Sequence, residues 1–412
     1  KVYKGCCNKH FKIKYKKYSK ILMKFNISKI LRFLLSIKSI IFINLFIRIK
    51  KKLNRDLKIV FFYFPVKSYQ NNILELIDEI KKEKNLEVIL AYNQGSSNEV
   101  KNYNKAFFLN LGYLKYVNSV DIFLSSYVVY EFPNSFNKIY INHDIYDAPW
   151  VNPEKEKKLI KTLKGYDYIF LSSDIAISDL QRKINQYLDI KIVEKKTSLI
   201  NTGYLKLDHV YQNLKNSNSI EDSILLAPTL SSMLIDYNLD RFLDTIIEEI
   251  LKNDQFKVIY RPHPGDIINK EKNLTIKNIN EKYKNQPNFS LDDNTSYLES
   301  YRKSKILITD FSGTAYTYAF SKLRPVIFFS KNEEKLIKSD LNELFYFKDR
   351  TIVGKIIQNI DRLNEEIYST DKLINYYSNE IELLRSKRIK FFKRSIEQNL
   401  LSIKNILNVK KK

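Results

Sequence analysis

The chain has 412 residues with 70 Lys and Arg against 46 Asp and Glu, a formal net charge of +24. A charge of that size points to nucleic acid, a membrane surface or a phosphate-bearing partner. Its distribution argues against the first. Residues 1–58 hold 18 basic side chains and one acid, +17, and residues 385–412 hold ten and one, +9. The body, 59–384, carries 42 basic and 44 acidic groups, −2, and so lacks the basic face that a nucleic-acid binder needs. With 44% hydrophobic residues there is material for packed cores, which excludes a disordered chain. The adjacent pair Cys6-Cys7 excludes a disulfide framework and a cysteine zinc site, as expected in a reducing cytoplasm.

In chain order, the first element is ISKILRFLLSIKSIIFINLFIRI, Ile27 to Ile49, flanked by Lys and Arg. A spanning helix wants about 20 largely apolar residues, and Arg32 and Lys38 interrupt this run. No small-residue cleavage site follows, which argues against a signal peptide. The expectation is a basic amphipathic helix lying in the headgroup layer of an anionic membrane, apolar face down. A helix packed on its own domain and a true span are the alternatives.

Past Lys58 short apolar runs alternate with amphipathic stretches, the pattern of parallel sheets covered by helices. Strands are predicted at 59–64, 87–92, 121–125, 138–142 and 168–171, then at 223–227, 257–261, 306–309 and 326–329. Helices are predicted at 71–84, 153–164 and 174–188, then at 239–252, 296–303, 314–322 and 353–368, with an all-helical region after about 350. The polar stretch Asn213–Asp222 reads as a linker. The division is therefore a basic N-terminal segment (1–58), an α/β domain (59–215), a second α/β domain (220–345) and C-terminal helices with a basic tail (346–412). Two doubly wound domains would face a cleft and bind ligands at the carboxyl ends of their strands.

Histidine is scarce, four in the chain, and two fall at strand ends: His143 after KIYIN and His263 after FKVIY. An imidazole there can act as a general base or donate to a phosphate. His209, inside LKLDHVYQNL, reads as a structural histidine. Around His263 stands Arg261-Pro262-His263-Pro264-Gly265-Asp266, where the prolines fix the turn. Arg261 offers a fork suited to phosphate, and Asp266 is placed to orient the imidazole. A rigid turn with an exposed histidine is the plainer reading. In ILITDFSGTAYTYAF a strand ends at Asp310, and Ser312, Gly313 and Thr314 open a helix whose free N–H groups and dipole suit an anion. Thr314 as a plain N-cap is the alternative. Smaller pieces are Gly203-Tyr204-Leu205-Lys206-Leu207-Asp208 and Ala227-Pro228-Thr229.

Taken in order, these segments resemble the CDP-glycerol glycerophosphotransferase family, which builds teichoic-acid-type polymers. The family's His-Gly-Thr corresponds to His143 onward, Gly-x-Pro-Arg-x-Asp to 203–208, and Ala-Pro-Thr to 227–229. Arg-x-His-Pro corresponds to 261–264, and Thr-Asp-Tyr-Ser-Ser with Lys-Pro-Ile/Val-Ile-Phe to 309–312 and 324–328. The resemblance spans roughly residues 59–345. It implies a GT-B-like fold and transfer of glycerol phosphate from CDP-glycerol to a lipid-linked or glycan hydroxyl, with release of CMP. It implies His143 as the base and His263 as the group stabilising phosphate charge, although the two could be exchanged. Ser312, Gly313 and Thr314 would cradle the diphosphate, with Arg261, Asp310, Thr229 and Gly203 completing the substrate site. It also implies peripheral attachment to the cytoplasmic membrane face. No carboxylate set suits a resident metal, and a divalent cation requirement is left open. Departures are Asp144 for glycine, Leu205-Lys206 for Pro-Arg, and Gly313 for the second serine. Thr317 and Tyr318 stand where the family usually has an acid. A CDP-ribitol donor is therefore a variant reading. A GT-B glycosyltransferase using a nucleotide sugar for capsule or lipopolysaccharide is the rival one.

Overall fold

A computed structural model describes residues 7–65, 71–93, 106–146, 153–188, 197–215, 221–233, 239–252 and 255–408, with side chains of the first helix described from Lys29. Cys6, positions 216–220 of the expected linker, 147–150 after His143 and 409–412 of the basic tail lie outside the described residues.

Branched and aromatic runs bounded by turn residues form strands. β1 (Lys58–Phe64), β2 (Leu86–Tyr92), β3 (Ala106–Phe108), β4 (Val120–Ser125), β5 (Ser135–Ile141), β6 (Tyr168–Leu171) and β7 (Ser198–Asn201) form one sheet in the order β3-β2-β1-β4-β5-β6-β7. β8 (Ser223–Leu226), β9 (Lys257–Tyr260), β10 (Phe289–Leu291), β11 (Ser304–Thr309), β12 (Val326–Phe329) and β13 (Gly354–Ile357) form the second in the order β10-β9-β8-β11-β12-β13. The pairs β1–β2, β1–β4, β2–β3, β5–β6 and β6–β7 of the first sheet and every pair of the second are parallel. Each order reverses beside its first strand, the doubly wound arrangement, so the expected GT-B-like α/β class is the one observed. Ile59 to Phe64, Ser223 to Leu226 and Val326 to Phe329 are wholly buried, as strands covered by helices on both faces must be.

The nine expected strands are all present. The expected helix at 353–368 is corrected, and with it the all-helical reading after 350. Gly354 to Ile357 pair with Val326 to Phe329 as a strand, and the helix starts only at Asp361. Gly354 explains the strand. A β-carbon there would lie 1.8 Å from the Val326 carbonyl oxygen, a backbone approach only glycine permits.

Contacts group the chain into two compact units that are not the two sheets, since β5 runs through both. The smaller comprises Lys1–Gln70, Lys81–Ser125 and Val129–Lys138. Its first helix, Cys7–Leu53, is continuous for 47 residues. Ser36, Ser39, Ile43 and Ile47 are its buried stripe. Ser36 Oγ accepts from the Asn110 amide at 3.3 Å, Asn44 bonds the Tyr116 carbonyl and the Asn118 amide, and Lys51 pairs with Asp121 at 2.7 Å. Ile30, Leu31, Phe33, Leu34, Phe42 and Leu45 face outward, each 44–57% exposed. The helix therefore packs through Ser36, Ser39 and Asn44 together with Ile43 and Ile47, and shows many of its other apolar side chains to the exterior. Lys29–Leu53, with a mean hydropathy of 2.1, is long and apolar enough to cross a membrane by length and composition.

The larger unit comprises Asn71–Ile80, Ser126–Val128 and Ile139–Lys412. Its terminal helices, Thr370–Arg388 and Ser395–Asn408, are latched by buried charge. Arg388 donates two hydrogen bonds to Asp349, which also accepts from the Tyr146 hydroxyl. Asp208 accepts from the Lys393 amide (2.7 Å), the Ser395 amide (2.8 Å) and the Ser395 hydroxyl (2.5 Å). Gly203 sits at φ 81° with the β-carbons of Phe391 and Ser395 about its Cα, so neither the conformation nor the space admits a side chain.

Candidate active site

All of the candidate residues lie in the larger unit. The turn after β5 carries His143, whose Nδ1 is 2.9 Å from the Ser126 carbonyl oxygen. A carbonyl can only accept, so with this shorter bond made Nδ1 bears the proton, the Tyr140 hydroxyl lies beside it at 3.2 Å, and neutral His143 presents its lone pair at Nε2. That nitrogen lies 3.4 Å from Asp144 Oδ2. The His143 carbonyl accepts from the Tyr204 hydroxyl at 2.6 Å, which fixes the turn to the start of the helix Leu205–Lys215. Burial lowers the pKa of His143 and the Lys206 charge lowers it further. Asp144 and the bond to Ser126 oppose both.

His263 is wired the other way. It caps the short helix Pro264–Ile268, and its Nδ1 accepts from the Gly265 amide at 3.0 Å. Neutral His263 therefore carries its proton on Nε2, as a donor. Burial lowers its pKa, as does Lys206, against the charge of Asp266. Asp266 makes its described hydrogen bonds to Ser231, at 3.0 Å to the amide and 2.6 Å to the hydroxyl. It acts on His263 through space and orients the loop after β8 rather than the imidazole.

The helix Thr314–Lys322 begins beside the first histidine. A β-carbon built on Gly313 would lie 3.6 Å from Asp144 Oδ1, and Gly313 is exposed. Ser312 Oγ accepts from the Thr314 amide at 3.4 Å, and Thr314 Oγ1 is 2.8 Å from the Tyr301 hydroxyl. The structure thus brings the His143–Asp144 turn and this helix start together.

Other expected substrate-site residues have structural partners. Asp310 is fully buried and accepts from the amides of Thr229, Leu239 and Phe311, and burial raises its pKa against those bonds. It ties the end of β11 to the loop after β8, with Thr229 as one of the tied residues. Arg261 donates to Asp292 (2.5 Å) and to the carbonyls of Asn294, Thr295 and Ser296, which orders the loop that carries Tyr297. Gly203 serves the packing of residues 391–395. His209 is structural as expected, 2.6 Å from Glu75. Among the described residues no group of three or more His, Cys, Asp or Glu is placed to hold a metal ion.

Ser126 and Tyr297 belong to the site without a signal of their own in the sequence, as do, beyond their place in the segment 203–208, Tyr204 and the ammonium of Lys206. The last lies 5.5 Å from the Tyr297 ring centroid. Only the segment 203–208 drew notice to Lys206, as a departure from arginine.

The LIC12162 family transferase profile matches residues 229–347, from the loop after β8 to shortly before β13. The minor teichoic acid biosynthesis protein GgaB of Bacillus subtilis is 25% identical over 269 residues, which are 56% of this chain and 27% of that protein. The chain thus spans about a quarter of GgaB. The teichoic acid poly(glycerol phosphate) polymerase of Bacillus spizizenii is 24% identical over 88% of this chain and 93% of its own length. In fold, the chain is similar to the wall teichoic acid polymerase TagF, with TM-score 0.59, 16% identity and coverage of 92% and 98%. It is also similar to the UDP-GlcNAc 2-epimerase of Methanocaldococcus jannaschii, with TM-score 0.57, 14% identity and coverage of 85% and 100%. The resemblance to the CDP-glycerol glycerophosphotransferase family, read from the ordered motifs, is borne out by these relatives together with the GT-B-like fold.

Proposed function

We propose that this chain transfers glycerol phosphate, or a related polyol phosphate, from a CDP-activated donor to a hydroxyl of a cell-envelope glycan or lipid-linked acceptor. The observation that carries the reading is the opposite wiring of the two histidines. Nε2 of His143 takes the proton of the acceptor hydroxyl as its oxygen attacks the β-phosphorus. The bond from that phosphorus to the CMP oxygen breaks, and CMP leaves with the electron pair. Nε2–H of His263 donates to a non-bridging oxygen, and the start of the helix Thr314–Lys322 adds its dipole. Phosphoryl transfer asks mainly for positioning and charge stabilisation, which this inventory supplies. The teichoic acid polymerase relatives, and a TagF structure soaked with CDPG, support the donor class.

The same reading puts the enzyme at the cytoplasmic face of the membrane. The first helix carries both the basic charge and an exposed apolar face, and lipid is the medium that suits that pairing.

The test is the purified full chain with CDP-glycerol, CDP-ribitol and UDP-sugars, with and without magnesium, following release of CMP or UDP. CMP release from a CDP-polyol in the presence of a polyol-phosphate acceptor is expected. Release of UDP from a sugar donor, with no reaction of either CDP compound, refutes the reading in favour of glycosyl transfer.

A further inference from the structure

One charged side chain at this site has no task in the reaction above. Lys206 is the second residue of the helix Leu205–Lys215. The residue before that helix, Tyr204, is bonded through its hydroxyl to the His143 carbonyl, so the start of the helix is fixed to the first histidine turn. The Lys206 ammonium lies over the Tyr297 ring, 5.5 Å from its centroid, and the Arg261 guanidinium lies 5.9 Å from the same centroid. Arg261 stands two residues before His263, so Lys206 is tied to both histidine loops.

The two cations differ in what they have to hold. Arg261 is engaged by Asp292 and three carbonyls. Among the described residues the Lys206 ammonium has no hydrogen-bond or ion-pair partner. Two cations on one ring, one of them half-buried and without a hydrogen-bond or ion-pair partner, is an unfavourable arrangement unless an anion completes it. We propose that Lys206 is a substrate-binding residue whose ammonium takes the non-bridging oxygens of a diphosphate held between His143 and His263.

The electrostatics agree. Burial lowers the pKa of Lys206 and Arg261 lowers it further, with Asp144 opposing. The Lys206 charge in turn lowers the pKa of both histidines. It thereby favours the neutral forms, lone pair out on one and proton out on the other, that the transfer uses. The charged groups facing it are thus Asp144 and His143 from the turn after β5, and Arg261 and His263 from the loop after β9. This inference rests on the reading that the site takes a nucleoside diphosphate.

The test uses the full chain as wild type, Lys206→Met and Lys206→Arg, titrated with CDP, inorganic pyrophosphate and cytidine, with melting curves of each free protein. The Met variant is expected to lose about 100-fold in affinity for CDP, and to lose pyrophosphate binding in parallel. Cytidine binding should be unchanged. The Arg variant keeps the charge and is expected to stay within about tenfold of wild type. The free Met variant should melt no lower than wild type, because it sheds a half-buried cation that has no hydrogen-bond or ion-pair partner. Wild-type affinity for both diphosphates in the Met variant overturns the proposal. So does a joint loss of cytidine binding and melting temperature, which would mark a structural role. If pyrophosphate binding depends on Lys206 while CDP-polyols are never turned over, the transfer reading fails and Lys206 stands. A wild-type chain that binds no diphosphate removes both.

Discussion

Asp208→Asn tests whether the segment 203–208 acts through structure rather than through substrate. The carboxylate is buried, with Oδ1 accepting from the Lys393 amide at 2.7 Å. Oδ2 accepts from the Ser395 amide at 2.8 Å and from its hydroxyl at 2.5 Å. Asparagine has the same shape but one acceptor oxygen, so its NH2 group must face a backbone N–H in either flip. The better flip keeps the Lys393 bond and lets the Ser395 hydroxyl turn round to accept. It leaves the Ser395 amide unpaired, at a cost of about 1–3 kcal/mol. The surviving bond also loses its charge assistance. Against this, burial raises the pKa of Asp208, so removing the charge recovers part of its desolvation. The net expectation is a loss of about 2 kcal/mol, or a melting temperature lower by about 4 °C for a unit of this size. Ser395→Ala removes one donor and keeps both backbone bonds, so it should cost about 1 kcal/mol. Melting curves at one fixed scan rate, with CDP affinity measured beside them, make the comparison. An Asp208→Asn protein that melts with wild type but has lost CDP binding refutes the reasoning, because the carboxylate would then be serving the ligand.

Other expectations follow from the same geometry. His143 must be neutral to act as base and its pKa is lowered by burial, so the acid limb of kcat/KM for CMP release should lie below the ordinary imidazole value of about 6.5. His143→Ala should cost about 10²–10⁴ in turnover and abolish that limb, whereas His263→Ala should lower turnover and keep it. A limb that vanishes with His263 instead exchanges the two roles. Gly354→Ala should cost about 3 kcal/mol, since its β-carbon must push β13 from the Val326 carbonyl. Urea titration measures this, and a loss near zero would mean that β13 does not pair as described. Changing Leu31, Leu34 and Leu45 together to Ser should leave folding unchanged, since all three are exposed, and weaken co-sedimentation with anionic vesicles at every salt concentration. Unchanged sedimentation would assign binding to the basic residues alone.

What the sequence disclosed depends on what burial demands of it. The nine expected strands hold the centres of the two sheets, where both faces are covered and the apolar run must be continuous. The four it missed, β3, β7, β10 and β13, are the four sheet edges, three or four residues long. An edge strand is half solvated and needs no such run, so SLIN and GKII carry little signal. The candidate site divides in the same manner. His143 and His263 were legible because strand ends are legible and histidine is scarce in this chain. Their tautomers were not, because each depends on one backbone group, the Ser126 carbonyl at 17 residues' remove and the Gly265 amide. Arg261 and Asp310 look like ligands in sequence for the reason they work in the fold. A guanidinium fork and a carboxylate that can gather several partners will organise a loop as readily as a phosphate.

The net charge therefore says little about how this chain would hold a phosphate. Fourteen of the 18 basic residues of 1–58 lie on the helix Cys7–Leu53, whose buried stripe is Ser36, Ser39, Ile43 and Ile47 and which shows many other apolar side chains outward, an arrangement suited to a lipid surface. The body has almost no charge to spare. Near the histidines the arginine is engaged in holding a loop. What is left for an anion is one ammonium, one N–H of a neutral imidazole and the start of one helix. Such a site holds the ground-state diphosphate mainly through Lys206, and binding gained there lowers KM without raising turnover. Its few groups gain most where charge builds on the transferring phosphoryl oxygens, which is where binding energy raises turnover. On this argument Lys206→Met should lower kcat as well as donor affinity, and a loss confined to KM would mean that the lysine holds the donor without following the charge.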